Sequence, residues 1–383
     1  LSVPDRPVRV LQIVEGMYRA GLETWLMHVL RHIDRDRFRM DFLVQDRNEG
    51  HYDAEIRSLG SQVIHCKTRK NPLLHTLELR DILRRHGPYD VVHSHFHYYN
   101  GYALGVAKAQ NVPIRVSHSH SDISRLDEAA GLPRKAFVKA MRHLLYRNAT
   151  AGLAVSRGAA YSLFGPGWER DPRWRILFPS IVPERFHSAV DRPAVRRELG
   201  IPEGAFVVGH VGRFSEPKNH GYLLEIAAAL FRREPNARLV LVGEGDLRAE
   251  VEAKIRRLGI VDKVILTGSV PDPERLMRSV MDVFMLPSLY EGLPLVGIEA
   301  QAAGLPFFIS DVVSEDVDAV PALIHRLSIS EPPETWARAI LASREKANPV
   351  GRAEALRLME ESAFNIEHTV RQLEAVYAKP PVV

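Results

Sequence analysis

A chain of 383 residues exceeds the size at which a single hydrophobic core stops growing, so two domains are expected. The composition, 45% hydrophobic and 26% charged, is that of a soluble globular protein, and a net charge of only +4 gives no electrostatic footprint for nucleic acid. The single cysteine, Cys66, excludes an internal disulfide framework and fits a reducing, cytoplasmic setting; no apolar run approaches the ~20 residues of a membrane span.

Short β-branched runs alternate with helical stretches, the pattern of parallel sheets covered by helices. In the first half, strands are predicted at 8–14, 39–45, 62–66, 90–95, 114–120 and 151–156, with helices at 23–32, 53–59, 73–85 and 135–147. The first helix has Leu22, Trp25, Leu26, Val29 and Leu30 at helical spacing. Two of the strands close on His-Ser-His triplets, His93-Ser94-His95 and His118-Ser119-His120, and six of the 17 histidines fall between positions 86 and 120. Side chains alternate along a strand, and only one of His118 and His120 is expected to face a shared site unless the strand ends between them. His95 is expected as a packed, hydrogen-bonded residue. Zinc held by His93, His95 and His97 with His118 and His120 is the competing reading. It is set aside because the triplets contain no carboxylate or thiolate and Cys66 lies a strand away.

The proline-rich segment 178–186, FPSIVPERF, breaks the rhythm and reads as an interdomain linker. The domains are thus expected as 1–180 and 181–363, with a C-terminal helix at 364–378 packing back on the first. In the second half, strands are predicted at 205–212, 237–243, 264–268 and 282–288, and helices at 222–232, 247–258, 273–279 and 295–303. Both halves read as doubly wound α/β domains, with ligands at the carboxyl ends of their strands. The helical tail, 333–378, places Phe364, Ile366, Val370, Leu373 and Val376 on an apolar face.

Three stretches of the second half have residue types that packing alone does not require. GRFSEPKN (212–219) follows a strand and sets Arg213 and Lys218 five positions apart, a fork and a point charge suited to a diphosphate. GEGDLR (243–248) is a strand-to-helix turn in which Gly243 permits close approach of backbone to a ligand. In SLYEGLPLVGIEAQAAGLP (288–306) a helix opens near Leu295, and free N–H groups at Gly292, Leu293 and Leu295, around Pro294, would face an anion. Glu291 lies in that loop. Glu299, among Val296, Ile298 and Ala300, is expected to be partly buried and to need donors, for which a ribose diol is suited.

Arg213 and Lys218 followed by Glu291 and Glu299, on a second Rossmann-like domain, resemble the retaining GT-B glycosyltransferases of family 4, above all bacterial exopolysaccharide and capsule enzymes. The likeness spans essentially the whole chain and rests most on the EGLPL and GLP surroundings of the glutamates. It implies two Rossmann-like domains facing across a cleft and transfer of a sugar from a nucleotide diphosphate sugar, most often a UDP-sugar, to an acceptor hydroxyl with retention. Arg213 and Lys218 would neutralise the diphosphate and Glu299 hold the ribose. Glu291 would lie by the transferred sugar, and the amides of 292–295 would contact sugar and phosphate. His120, and second His118, would stand near the reacting sugar. The family's Gly-Gly-x-Glu turn is altered here to EGMYRAGLETW (15–25), onto which Gly16 and Gly21 are carried over; Ser180 stands where the linker usually has Asn.

No cofactor and no metal are implied, since cations and the helix start can stabilise the departing diphosphate; Asp34-Arg35-Asp36 lies in a charged loop and is discounted. The acceptor would be a sugar or a lipid-linked sugar. The segment 133–148, with Arg134, Lys135, Lys139, Arg142 and Arg147 among apolar residues, is either a peripheral contact with the inner face of a membrane or a helix with a solvated basic face. A sugar-nucleotide epimerase and a non-catalytic sugar-nucleotide-binding protein are the readings from other classes.

Overall fold

The computed structural model describes residues 6–66, 68, 71–345 and 348–378, and the chain divides into two compact units. One runs to Pro179 and takes in the chain again from Ile366; the other is Ser180–Asn365.

In the first unit, seven strands form one sheet: β1 (Val8–Val14), β2 (Phe38–Val44), β3 (Val63–His65), β4 (Val91–Ser94), β5 (Ile114–Ser119), β6 (Ala151–Ala154) and β7 (Trp174–Ile176). Their order is β3-β2-β1-β4-β5-β6-β7 and every neighbouring pair is parallel. Parallel strands have helices on both faces, which is why VRVLQIV is buried along nearly its whole length instead of alternating. Gln12 is the polar exception within the buried stretch 10–14 of that strand, and it is fully buried.

The last helix, Ile366–Tyr377, buries Ile366, Thr369, Val370, Leu373, Val376 and Tyr377, one continuous stripe at helical spacing. It packs on the first helix, Gly21–His32, which buries Trp25 through Leu30 beneath it. Each large aliphatic side chain buried there stabilises by roughly 1.5–3 kcal/mol. That stripe ends on Tyr377, whose ring reaches Phe38 and His93.

The second unit repeats the plan with β8 (Val207–Val211), β9 (Arg238–Val242), β10 (Val264–Gly268), β11 (Val283–Leu286), β12 (Phe307–Ser310) and β13 (Ile324–Leu327). The order is β10-β9-β8-β11-β12-β13, again all parallel. Each sheet therefore reverses its winding once, between β1 and β4 and between β8 and β11. The loops leaving those strands diverge there and open a crevice. Among the described residues no helix is long and apolar enough to cross a membrane.

Three strands, β7, β12 and β13, and the helices Asn100–Ala109, Ser124–Ala129 and Arg157–Phe164 stand beyond those predicted. Asn100–Ala109 buries Asn100, Gly101, Ala103, Leu104, Val106 and Ala107, so it has no single apolar stripe to read. A Cβ on its Gly101 would come within 2.6 Å of the Leu145 backbone nitrogen; the glycine lets this helix press on Leu132–Asn148.

Candidate functional site

The switch point of the second sheet gathers the charged residues of two loops. The loop after β8 carries Arg213 and Lys218, and the loop after β11 carries Glu291. Backbone and side chains stitch them together: Leu289 N–H donates to Pro217 O at 2.8 Å and Asn219 Nδ2 to Pro287 O at 3.1 Å. Asn219 takes the left-handed conformation (φ 52°) that turns the chain into the helix His220–Arg233. Lys218 Nζ then lies 2.6 Å from Glu291 Oε1, to which Ser288 Oγ also donates at 2.8 Å. Ser288 is itself fixed, its carbonyl accepting from Ser310 Oγ at 2.7 Å. Arg213 stands apart at the surface, 3.4 Å from Asp246, with most of its side chain in solvent.

Behind this pair the helix Leu295–Ala302 begins without a side-chain cap. Gly297 N–H bonds to Pro294 O, so the amides of Leu295 and Val296 have no partner within the helix. Gly292 and Leu293 lead into that start. The helix lies flat on β12 because Gly297 has no Cβ, which would meet the Phe307 ring at 2.8 Å. It ends where Gly304 takes φ 67° and Leu305 N–H reaches back to Ala300 O. Buried Gln301 clamps it by donating to the carbonyls of Gly297 and Val317 and accepting from Val320 N–H.

Glu299 is thereby fixed in the interior. It is 6% exposed, and among the described residues no donor hydrogen-bonds its carboxylate. Burial, then the nearby Glu274, push it up to about 8, against a smaller opposing pull from Arg185. Glu274 is also buried and raised, chiefly by desolvation, although it is ion-paired with Arg185. Arg185 pairs with Glu274, which Arg278 also attracts, whereas Glu299 has no ion pair among the described residues.

Gly243 has a structural reason of its own. Its φ is 145°, and a Cβ there would meet Gly212 O at 2.0 Å; Gly245 (φ 158°) approaches Phe214 O in the same way. The close approach is to the backbone of the Arg213 loop, where Phe214 N–H donates to Glu244 O. The two glycines thus set the position of the cation loop.

In the first unit β4 and β5 lie side by side, with His93 paired in register with Val116 and Ser94 with Ser117. Their four histidines share one face and form one cluster against Trp25. His118 and His120 have ring centroids 4.0 Å apart. β5 ends at Ser119, between them, so the alternation of a strand does not separate the two rings. His93 is fully buried, His95 nearly so, and His120, just past the end of β5, is half-buried.

Hydrogen bonds join the cluster. His93 Nδ1 lies 2.8 Å from Tyr377 Oη, and its Nε2 lies 3.2 Å from His118 Nδ1. His95 Nε2 lies 2.9 Å from Gln12 Oε1, and its Nδ1 lies 2.8 Å from His120 Nε2. Gln12 Nε2 donates to Tyr377 Oη at 3.0 Å. Burial holds all four imidazoles neutral, His120 down to about 3, with mutual repulsion as the lesser cause. Nitrogens of His93, His95 and His118 come within 4.8 Å of one another, near enough for a metal ion. Both nitrogens of His93 and both of His95 are already committed to hydrogen bonds, however, so that of the six nitrogens of these three described histidines only Nε2 of His118 is unpartnered. The set fits a hydrogen-bonded network better than a metal centre.

Gly16 and Gly21 flank the turn after β1. The space over Gly16 is filled by the Tyr18 ring, and Gly21 opens the first helix with nothing within 4 Å of a Cβ there. On the helix Leu132–Asn148, Arg142 spends its guanidinium on the carbonyls of Leu163, Tyr161 and Ser162, and Arg134 pairs with Asp127. Lys135, Lys139 and Arg147 remain exposed.

The profile of the group 1 glycosyl transferases matches residues 191–346, and that of the glycosyl transferase 4-like domain matches residues 20–176. The putative glycosyltransferase EpsF of Bacillus subtilis is 37% identical over 346 residues, 89% of each chain. The chain belongs to the group 1 glycosyltransferases. A second relative, the UDP-Gal:alpha-D-GlcNAc-diphosphoundecaprenol alpha-1,3-galactosyltransferase of Escherichia coli, is 31% identical over 147 residues, 37% of this chain and 38% of that protein. In fold the chain is similar to HepE of Anabaena, solved with UDP and glucose, at a TM-score of 0.76 and 19% identity over 96% of this chain and 98% of that one.

For this glycosyltransferase, the geometry thus brings Lys218, Glu291 and the start of the Glu299 helix together at one switch point and leaves Arg213 on its rim. Sequence reasoning missed Ser288, Gln12, Trp25, Tyr377, Arg185 and Glu274. Gln12 carried a signal, a polar residue inside the apolar run 10–14. The others are brought in by tertiary packing alone.

Proposed function

We propose that this glycosyltransferase moves a sugar from a nucleotide diphosphate sugar, specifically a UDP-sugar, to an acceptor hydroxyl with retention and without a metal ion, in polysaccharide or glycoconjugate synthesis. The observation that carries the reading is Glu299: a buried carboxylate without a donor among the described residues, raised to about 8, on the helix that follows the Glu291 loop. A buried carboxylate lacking donors is costly, and the two hydroxyls of a ribose supply them. Arg213, Lys218 and the amides of residues 292–295 take the diphosphate, with Gly243 keeping the cation loop in place. They stabilise the charge that develops on the departing phosphate, the task a divalent ion would otherwise perform.

Glu291 orients Lys218 and contacts the transferred sugar. The acceptor belongs to the first unit, where His120, supported by His118, meets its hydroxyl, and the turn from Gly16 to Gly21, open at Gly21, leaves room for the donor phosphates. The bond from the anomeric carbon to the phosphate oxygen breaks, the acceptor oxygen bonds to that carbon on the same face, and its proton passes to the leaving phosphate. The names of the relatives, an undecaprenol-linked acceptor among them, support a sugar or lipid-linked sugar as acceptor. The exposed Lys135 and Lys139, with Leu132 82% exposed beside them, suit a peripheral contact with anionic lipid.

Incubation with labelled UDP-sugars and oligosaccharide or lipid-linked acceptors, with and without EDTA, tests the reading. Transfer that keeps the donor's anomeric configuration and is indifferent to EDTA is expected. An inverted product, or transfer abolished by EDTA and restored by a divalent ion, would overturn the corresponding part. Flotation with anionic vesicles at low salt tests the membrane contact separately.

A further inference from the structure

The hydrogen bonds of the histidine cluster form one unbranched chain, His120–His95–Gln12–Tyr377–His93–His118, that ties the end of β5 to the C-terminal helix. In such a chain each link fixes the next, because a neutral imidazole has one donor nitrogen and one acceptor nitrogen. Gln12 Nε2 donates to Tyr377 Oη, so the tyrosine hydrogen is free for His93 Nδ1; His93 then carries its proton on Nε2 and donates to His118 Nδ1. On the other side Gln12 Oε1 must receive the proton of His95 Nε2. That leaves His95 Nδ1 as acceptor, and the proton in its bond to His120 comes from His120 Nε2. His120 Nδ1 is the end of the chain and bonds to nothing among the described residues. The Gln12 amide by itself fixes the links through His95 to His120, and turning it over would reverse them. The links through His93 depend also on the Tyr377 hydrogen pointing at His93 Nδ1, because the phenolic oxygen can accept twice.

We infer that Gln12 and Tyr377 are positioning residues that hold His120 in a single tautomer, proton on Nε2 and lone pair open on Nδ1. Neither residue reaches His120 itself. Their effect passes through His95, much as a buried partner holds a catalytic imidazole in one orientation. The inference deepens the proposed function, since it matters for transfer only if His120 meets the acceptor hydroxyl. The tautomer itself exists regardless of that role. The arrangement also gives the last helix a task beyond covering apolar surface, for Tyr377 is its final residue.

The test is the ring 15N spectrum of the full chain labelled in histidine, with His120 assigned through His120→Asn. A neutral imidazole fixed as the Nε2–H form gives widely split nitrogen shifts, one pyrrole-like and one pyridine-like; exchanging tautomers give averaged shifts. The expected result is a fixed Nε2–H pattern for His120 in the wild type and an averaged pattern in Tyr377→Phe and in Gln12→Met. Transfer by Tyr377→Phe should lose roughly 10- to 100-fold in kcat with KM nearly unchanged. Averaged shifts in the wild type, an Nδ1–H pattern, or an unaltered pattern in both variants would overturn the inference. Should one variant fail to fold, the wild-type spectrum and the other variant still decide. A full-rate His120→Ala enzyme would instead refute the catalytic role of His120 and leave the tautomer result standing.

Discussion

Lys218 Nζ lies 2.6 Å from Glu291 Oε1, an ion pair between the two loops of the second sheet's switch point, with side-chain exposures of only 18% and 13%. It is sheltered enough that each partner depends on the other, and under the proposed function it would hold the lysine in place for a diphosphate before any ligand arrives. Removing either member leaves the other with an unpaired charge.

Lys218→Ala should therefore weaken nucleotide diphosphate binding at least tenfold and cost about 1–3 kcal/mol of stability, because Glu291 keeps only the hydroxyl of Ser288. Glu291→Gln retains a partner for both neighbours and should fold normally, while its kcat falls. Calorimetric titration with UDP beside a denaturant melt separates the two effects.

Glu299 gives nucleotide binding a pH dependence of definite sign. Its folded pKa of about 8 lies above the ordinary value of 4.5, so the folded protein holds a proton that the unfolded chain has lost between those limits. Its stabilising contribution is complete below about 4.5 and disappears as pH rises through about 8. Ribose hydroxyls donate to the ionised form, so binding should release a proton, and UDP affinity should rise between pH 6.5 and 8.5. In Glu299→Gln that rise should vanish, which titrations in buffers of different ionisation enthalpy would detect.

The histidines oppose this trend at lower pH. Burial lowers His93, His95, His118 and His210 well below their ordinary value, and His97, His120 and His220 to about 4, 3 and 4. Their contribution is complete above about 6.5, the ordinary value, and is lost as pH falls toward the folded values. Each can contribute up to about 1.4 kcal/mol per pH unit where only the unfolded chain takes up the proton. The urea midpoint should fall between pH 7 and pH 5, with proton uptake on unfolding; a flat midpoint would contradict the buried, neutral cluster.

Gly243→Ala should destabilise the second unit by roughly 1–3 kcal/mol or more, since alanine meets both an unfavourable φ and the Gly212 carbonyl 2.0 Å away. UDP binding should fail with it, because the cation loop must move. Gly21→Ala, with open space around it, should change stability by less than about 1 kcal/mol. Paired thermal melts make the comparison.

Much of the fold was legible in the sequence because the two halves repeat a strand-helix rhythm whose strands are largely apolar, and the resemblance was legible from Arg213, Lys218, Glu291 and Glu299 with their EGLPL and GLP neighbours. What was not legible shares a cause. The helix Asn100–Ala109 is buried on several sides and shows no stripe, and β7, β12 and β13 run only three or four residues. The carboxyl pair of Glu274 and Glu299 arises from separate helices, and no spacing announces it. Where β5 ends decides the placement of His118 and His120: the strand stops at Ser119, a boundary that the sequence does not mark. The partnership of Gln12 with Tyr377 spans 365 positions, and only the docking of the last helix reveals it.

The most direct test of the central claim is a thermal-shift panel of UDP, GDP, ADP and CMP on the wild type and Glu299→Gln at pH 8. A ligand at about 100 times its Kd adds about 2.7 kcal/mol to native stability, a readily seen rise in Tm. The account predicts that UDP raises the wild-type Tm and leaves Glu299→Gln nearly unmoved. Equal shifts in both proteins would remove Glu299 from the ribose, and no shift with any nucleotide diphosphate would contradict the donor site itself.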